Sequence, residues 1–164
     1  MSRSLAIALI LALAACGDPA TTEAPEAFGR LVDEDRAPQT ILKEYATGVT
    51  APVSGLISSA TEWRRLWGAI HGTRQPQPAL PAVDFDREAL LYVGLGNTAN
   101  GATPLIERVD VYERGAVAQL TIEVPSPTCL ILTAIFQPIH VVRIAKPGAR
   151  ALRVDRHEVT RDCR

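Results

Sequence analysis

The feature that most constrains the fold is a pair of alternating stretches, Leu105 to Tyr112 and Val117 to Val124, separated by a turn at Arg114 and Gly115. Alternation with a period of two matches a pleated strand with one buried face, and two such runs around a short turn predict a β-hairpin. In the first run Ile106, Arg108, Asp110 and Tyr112 share one side, and Leu105, Glu107, Val109 and Val111 share the other. In the second, Ala118, Leu120, Ile122 and Val124 face inward and Gln119, Thr121 and Glu123 outward.

Further strands are expected on either side. Ile41 to Val49 and Val53 to Ser58 give two short ones, and Ala89 to Val93, a continuous apolar run, reads as a central strand buried on both faces. After Pro125, Ser126 and Pro127 break the hairpin, the chain is apolar from Leu130 to Phe136 and, beyond Pro138, from Ile139 to Ile144. Ala151 to Val159 is the last strand. One helix interrupts the series. Ser59 and Glu62 have the spacing of a capping box, Trp63, Leu66, Trp67 and Ile70 fall on one helical face, and Gly72 ends the run. An aromatic stripe at helical spacing belongs to a core, and a ligand-binding patch is the alternative. Strands following strands predict an α+β fold, mainly antiparallel sheet or a small barrel, with the amphipathic helix packed on it.

The N-terminus sets location. A positive start at Arg3 precedes an apolar run from Leu5 to Leu13, too short to span a bilayer as a helix, and Leu13, Ala14, Ala15, Cys16 follow. This quartet resembles the lipobox of bacterial lipoproteins, which implies that residues 1–15 are a signal peptide and that Cys16 is lipidated as the first mature residue. Residues 16–40, rich in Ala, Pro, Thr, Glu and Asp, are expected to be the lipidated cysteine and a flexible tether, leaving 41–164 as a single globular domain. Gly17, rather than Asp, after Cys16 tilts the expected destination to the outer membrane, facing the periplasm.

Charge excludes some partners. The net charge is −1, and losing Arg3 with the leader takes it to about −2. No basic field for nucleic acid and no polybasic patch for anionic lipid are present, so attachment would rest on the acyl chains. With Cys16 set aside, Cys129 and Cys163 remain in an oxidising compartment and are expected to pair, contributing roughly 4 kcal/mol; unrelated thiols or half a metal site are the alternatives. Neither cysteine has a CxxC partner or a His at ligand spacing, so no metal and no cofactor are expected.

Motifs that suggest catalysis fail on inspection. Gly94 to Ala99 fits GxGxxA, but Asn100, Gly101 and Pro104 follow where a pyrophosphate-binding helix would have to start. Ser54, Ser58, Ser59 and Ser126 lack a nucleophile-elbow context, and His71, His140 and His157 are isolated. His140, inside an apolar strand, is expected to be a hydrogen-bonded structural residue. Asp84 and Asp86, flanking Phe85 before a strand, suit a turn better than an acid/base pair.

A family resemblance rests on Glu62, Trp63 and Trp67; Pro81, Val83, Asp84 and Phe85; Gly94, Gly96 and Gly101; and Pro127, Cys129, Thr133 and Pro138 followed by His140, Val141 and Val142. Together, from about Val53 to Cys163, these resemble the PrcB C-terminal family, named for the accessory subunit of a secreted protease complex. The resemblance implies a non-catalytic extracytoplasmic module and supplies no catalytic residues. The first expectation is therefore a membrane-anchored accessory lipoprotein that engages an envelope protein through the loops Asn97 to Thr103 and Pro125 to Thr128, with Asn97, Asn100, Gly101, Pro125 and Pro127 as candidate contacts. A small-ligand carrier or protease inhibitor is the second expectation, and an enzyme with an unrecognised site the third.

Overall fold

The structure, a computed structural model, describes residues 25–35, 37–72, 74–131 and 134–163. The leader and Cys16 lie outside them. Eight strands are β1 (Leu31–Asp35), β2 (Gln39–Glu44), β3 (Val53–Ile57), β4 (Glu88–Gly94), β5 (Thr103–Tyr112), β6 (Gly115–Pro125), β7 (Ile139–Ala145) and β8 (Ala151–Arg161), with one helix, α1 (Ala60–His71), between β3 and β4. They form two four-stranded sheets, ordered β1-β5-β6-β8 and β2-β7-β4-β3. The fold is thus the expected α+β arrangement, but the sheets pack as a sandwich and no barrel closes.

Every pairing is antiparallel except β6 with β8, which run parallel. The exception follows from connectivity. Between β6 and β8 the chain crosses into the other sheet as β7, so β8 returns in the direction of β6. A barrel needs the sheet to close on itself, whereas β3 and β8 each have a single neighbour and remain free edges.

The central strands β4 and β7 are buried on both faces, as a continuous apolar run requires. Ala89, Leu91 and Val93, with Val142 and Ile144, pack across the sandwich onto Ile106, Val109 and Val111 of β5 and Ala116, Ala118, Leu120 and Ile122 of β6. Leu90, Ile139 and Val141, on the opposite face, meet Trp63, Trp67 and Ile70 of α1. The molecule is therefore three layers: sheet, sheet, helix.

Helix α1 is set by its cap. Ser59 Oγ accepts the Glu62 amide at 3.3 Å, and Glu62 Oε2 accepts from the Ser58 amide and the Ser59 hydroxyl. The tryptophans are core residues, 1% and 7% exposed. Their indole N–H groups donate to the carbonyls of Pro81 and Pro78, both at 3.0 Å, so the proline-rich loop closes over the helix while satisfying its buried polar atoms.

Three expectations need correction. Part of the presumed tether is folded: a short 3-10 helix occupies Pro25–Phe28, β1 pairs with β5, and β2 begins at Gln39 and ends at Glu44, well short of Val49. Leu31 and Val32 are exposed, so β1 carries no buried stripe to read; it is held by backbone pairing and by the Arg108–Glu34 ion pair at 2.6 Å. Second, the simple alternation expected in β5 breaks at a bulge. Ile106 pairs with Leu120 and Arg108 with Gln119, leaving Glu107 as an extra residue. The bulge brings Ile106 onto the same buried face as Val109 and Val111, and Arg108 and Asp110 onto the other. Third, the turn residues are Glu113 and Arg114, because Gly115 already pairs with Tyr112.

Candidate functional site

The candidate loops converge at one end of the sandwich. Gly96, at φ 69°, turns the chain after β4; a Cβ there would sit 2.7 Å from the Ala51 carbonyl carbon and the Pro52 nitrogen. Asn100 Oδ1 accepts the Ala102 amide at 3.1 Å, and Gly101, at φ 67°, brings the backbone against Pro125 and Ile131. No helix follows the GxGxxA run; the chain enters β5 directly.

The segment after β6 is stitched to this turn. Thr98 and Phe136 exchange two backbone hydrogen bonds of 2.8 Å, and Gln137 Nε2 donates to Asn97 Oδ1 at 3.0 Å. Ser126 N donates to the Arg161 carbonyl at 2.9 Å, and the Ser126 carbonyl accepts from the Cys129 amide. Cys129 and Cys163 are disulfide-bonded with their Cα atoms 5.5 Å apart, tying the segment to the end of β8. The disulfide, the bridge and these hydrogen bonds thus tie the segment at both ends.

What the loop displays is apolar. Leu130 is fully exposed, Ile135 is 65% exposed, and Ile131 and the neighbouring Tyr45 are partly exposed. Beside them lies a pocket of about 220 Å³, lined by Tyr45, Gly101, Pro125, Ile131, Phe136 and Arg161 among others. The expected contact residues therefore come together, but with different roles. Asn97 and Asn100 spend their side-chain oxygens holding the loops, Pro125 is buried, Gly101 permits the close approach, and Pro127 is exposed in the turn. Leu130 and Ile135, which the structure displays, are not among the expected contact residues. They lie in an apolar run bounded by Pro127 and Pro138 that the sequence alone does not distinguish from core.

This tip lies at the end of the sandwich opposite the first described residues. Phe28 packs on Tyr112 with ring centroids 5.9 Å apart, its carbonyl accepts the Arg114 amide, and the Arg30 carbonyl accepts the Glu113 amide. Those residues surround the β5–β6 turn, whereas the tip adjoins Thr103 and Pro125 at the other end of the same strands. Ten residues of β5 separate the two ends by about 30 Å.

A second concavity runs along the open side of the sandwich. Between the free edges β3 and β8 is a groove of about 480 Å³, with Val53, Ile122 and Val154 among its apolar walls and Ser54, Arg156 and Glu158 among its polar ones. Arg156 and Glu158 pair at 3.1 Å. One end of this side is shut by Arg150, which donates to Ser58 Oγ at 2.7 Å and to Glu62; the guanidinium holds the Glu62 carboxyl down to about 2.

The remaining titratable groups have structural positions. His140 Nδ1 accepts the Ile106 amide of the opposite sheet at 2.9 Å, so Nε2 carries the proton and donates to Thr40 Oγ1 at 2.9 Å. Burial pushes its pKa down to about 4. His71 is buried edge-on to Trp67 with neither ring nitrogen bonded, and burial lowers its pKa. His157 bonds Thr121 at 2.8 Å on the outer face of the first sheet. Asp84 Oδ1 accepts the Asp86 amide, the expected turn. Among the described residues no three His, Cys, Asp or Glu side chains are grouped to hold a metal, and no helix is long and apolar enough to cross a membrane.

No family model, no curated protein and no solved structure matches this chain.

Proposed function

We propose that the chain is a lipid-anchored lipoprotein of the bacterial envelope whose folded domain is a non-catalytic accessory module, binding another envelope protein through the tip described above. The observation that carries this reading is the exposed Leu130 and Ile135 on a loop braced by a disulfide and by the Thr98–Phe136 bridge. Exposed aliphatic side chains on a loop tied at both ends are unfavourable in water and become favourable when a partner covers them. Attachment at the far end of β5 presents this surface away from the membrane, toward proteins of the periplasm if Cys16 is anchored in the outer membrane. The resemblance to the PrcB C-terminal family supports a protease or similar complex as the partner's class.

The test is cross-linking of intact envelopes carrying the full lipoprotein, compared with a Leu130→Asp, Ile135→Asp variant. The expected result is a defined protein adduct that the variant loses while its melting temperature stays unchanged. Identical adducts from both proteins would overturn the reading.

A small-ligand carrier is the second reading, favoured by the groove between β3 and β8, whose volume lies within the roughly 300–1,000 Å³ of small-molecule sites. Native mass spectrometry of protein purified from its own envelope separates the two, since a carrier retains a bound small molecule and an accessory module does not.

A further inference from the structure

The pocket at the tip combines apolar walls with one cation. Arg161 is the single charged residue among the described residues that line it. Several other arginines are matched with carboxylates: Arg74 with Glu44 at 3.0 Å, Arg143 with Glu88 at 3.4 Å, Arg153 with Asp155 at 3.0 Å. Among the described residues Arg161 has no such partner. A guanidinium beside an apolar recess is complementary to a ligand that is anionic at one end and apolar next to it.

Size narrows the ligand. At about 220 Å³ the recess falls below the usual range for small-molecule and cofactor sites and suits one large side chain. Within a polypeptide, only the last residue carries a carboxylate and a side chain on the same carbon. An apolar C-terminal residue therefore supplies both features within the reach of a single-residue pocket, and capture of chain termini is an established mode of peptide recognition.

We propose that this pocket takes the C-terminal residue of a partner polypeptide, with its apolar side chain in the recess and its carboxylate on Arg161. The proposal rests on the tip being the interaction surface and names what that surface recognises. Leu130, on the pocket's wall, and Ile135, exposed nearby, then cover the residues preceding the terminus.

The experiment is fluorescence anisotropy with the full lipoprotein in nanodiscs and labelled hexapeptides Gly-Ser-Gly-Ser-Gly-Xaa, where Xaa is Leu, Val or Phe. Saturable binding of at least one free-acid peptide is expected, weakened about tenfold or more by C-terminal amidation or by a terminal Asp. Arg161→Gln should weaken the free acid to the level of the amide and leave the amide unchanged, and Arg161→Lys should retain part of the preference. A thermal melt of each variant checks that folding is intact. Equal binding of acid and amide, or no saturable binding of any of the three acids, overturns the proposal. So does displacement by dodecanoate with no peptide binding, which would make the ligand a fatty acid. If peptides fail while the Leu130→Asp, Ile135→Asp variant still loses its envelope adduct, only the C-terminal specificity is wrong. If that variant keeps the adduct, the tip reading itself is wrong.

Discussion

Acidification should destabilise this fold through His140 at pH values where the carboxylates remain ionised. The ring is buried, its Nδ1 is committed as an acceptor to Ile106 N–H, and Nε2 donates to Thr40, so a second ring proton has no place without breaking the contact between the sheets. The folded pKa of about 4 lies below the ordinary 6.5 that the unfolded chain regains. Between those values the unfolded state binds the extra proton, so stability is present above pH 6.5 and falls as pH drops toward 4. At about 1.4 kcal/mol for each tenfold in proton affinity, the whole effect is about 3 kcal/mol, of which about 2 kcal/mol falls between pH 7.5 and 5. Glu62, held down to about 2 by Arg150, loses its stabilising pairing only as pH falls below its ordinary value of 4.5, so it leaves that window nearly undisturbed. His71, lowered by burial, acts in the same direction as His140 and stays in both proteins compared. The assay is urea unfolding of the wild type and His140→Asn from pH 7.5 to 5. Asparagine keeps an acceptor for Ile106 but does not titrate, so the variant should be about 1–3 kcal/mol weaker at pH 7.5 and converge on the wild type at pH 5. Parallel curves across the window would refute the assignment.

Replacing both Cys129 and Cys163 by Ser reopens a loop of sequence separation 34 and should cost about 4 kcal/mol, read as a lower urea midpoint. Gly96→Ala combines a left-handed backbone with a Cβ driven against Ala51 and Pro52; a loss of about 2 kcal/mol or more is expected in thermal melts, and an unchanged melting temperature would show that this turn can relax. Cys16→Ala should abolish incorporation of labelled palmitate and release the chain from the membrane fraction, whereas an ordinary secretory leader predicts no palmitate in either protein.

The parts of the fold written in short-range chemistry were legible. Ser59 and Glu62 announced the helix, Trp63, Trp67 and Ile70 its buried face, and the alternation of β6 its inner side. What escaped depends on partners distant in sequence. The pairing of β1 uses backbone groups that leave no side-chain pattern, and the extra residue Glu107 appears only when β5 is laid against β6. The parallel placement of β8 depends on where β7 goes, which no local signal encodes. The candidate site was half legible. Glycine and asparagines marked one loop and prolines the other as candidate contact surfaces. Yet those residues turned out to build the loops, while the exposed Leu130 and Ile135 sit in an apolar run that reads equally well as core until the disulfide and the Thr98–Phe136 bridge show it held outside.

The most direct test of the proposed interaction tip, facing away from the membrane, is a photo-cross-linking amino acid placed in turn at Ile135 and at Arg114, on the full-length chain in living cells. The account predicts a discrete envelope-protein adduct from position 135 and none of the same mass from position 114. The same adduct from both positions, or lipid alone from position 135, would contradict it.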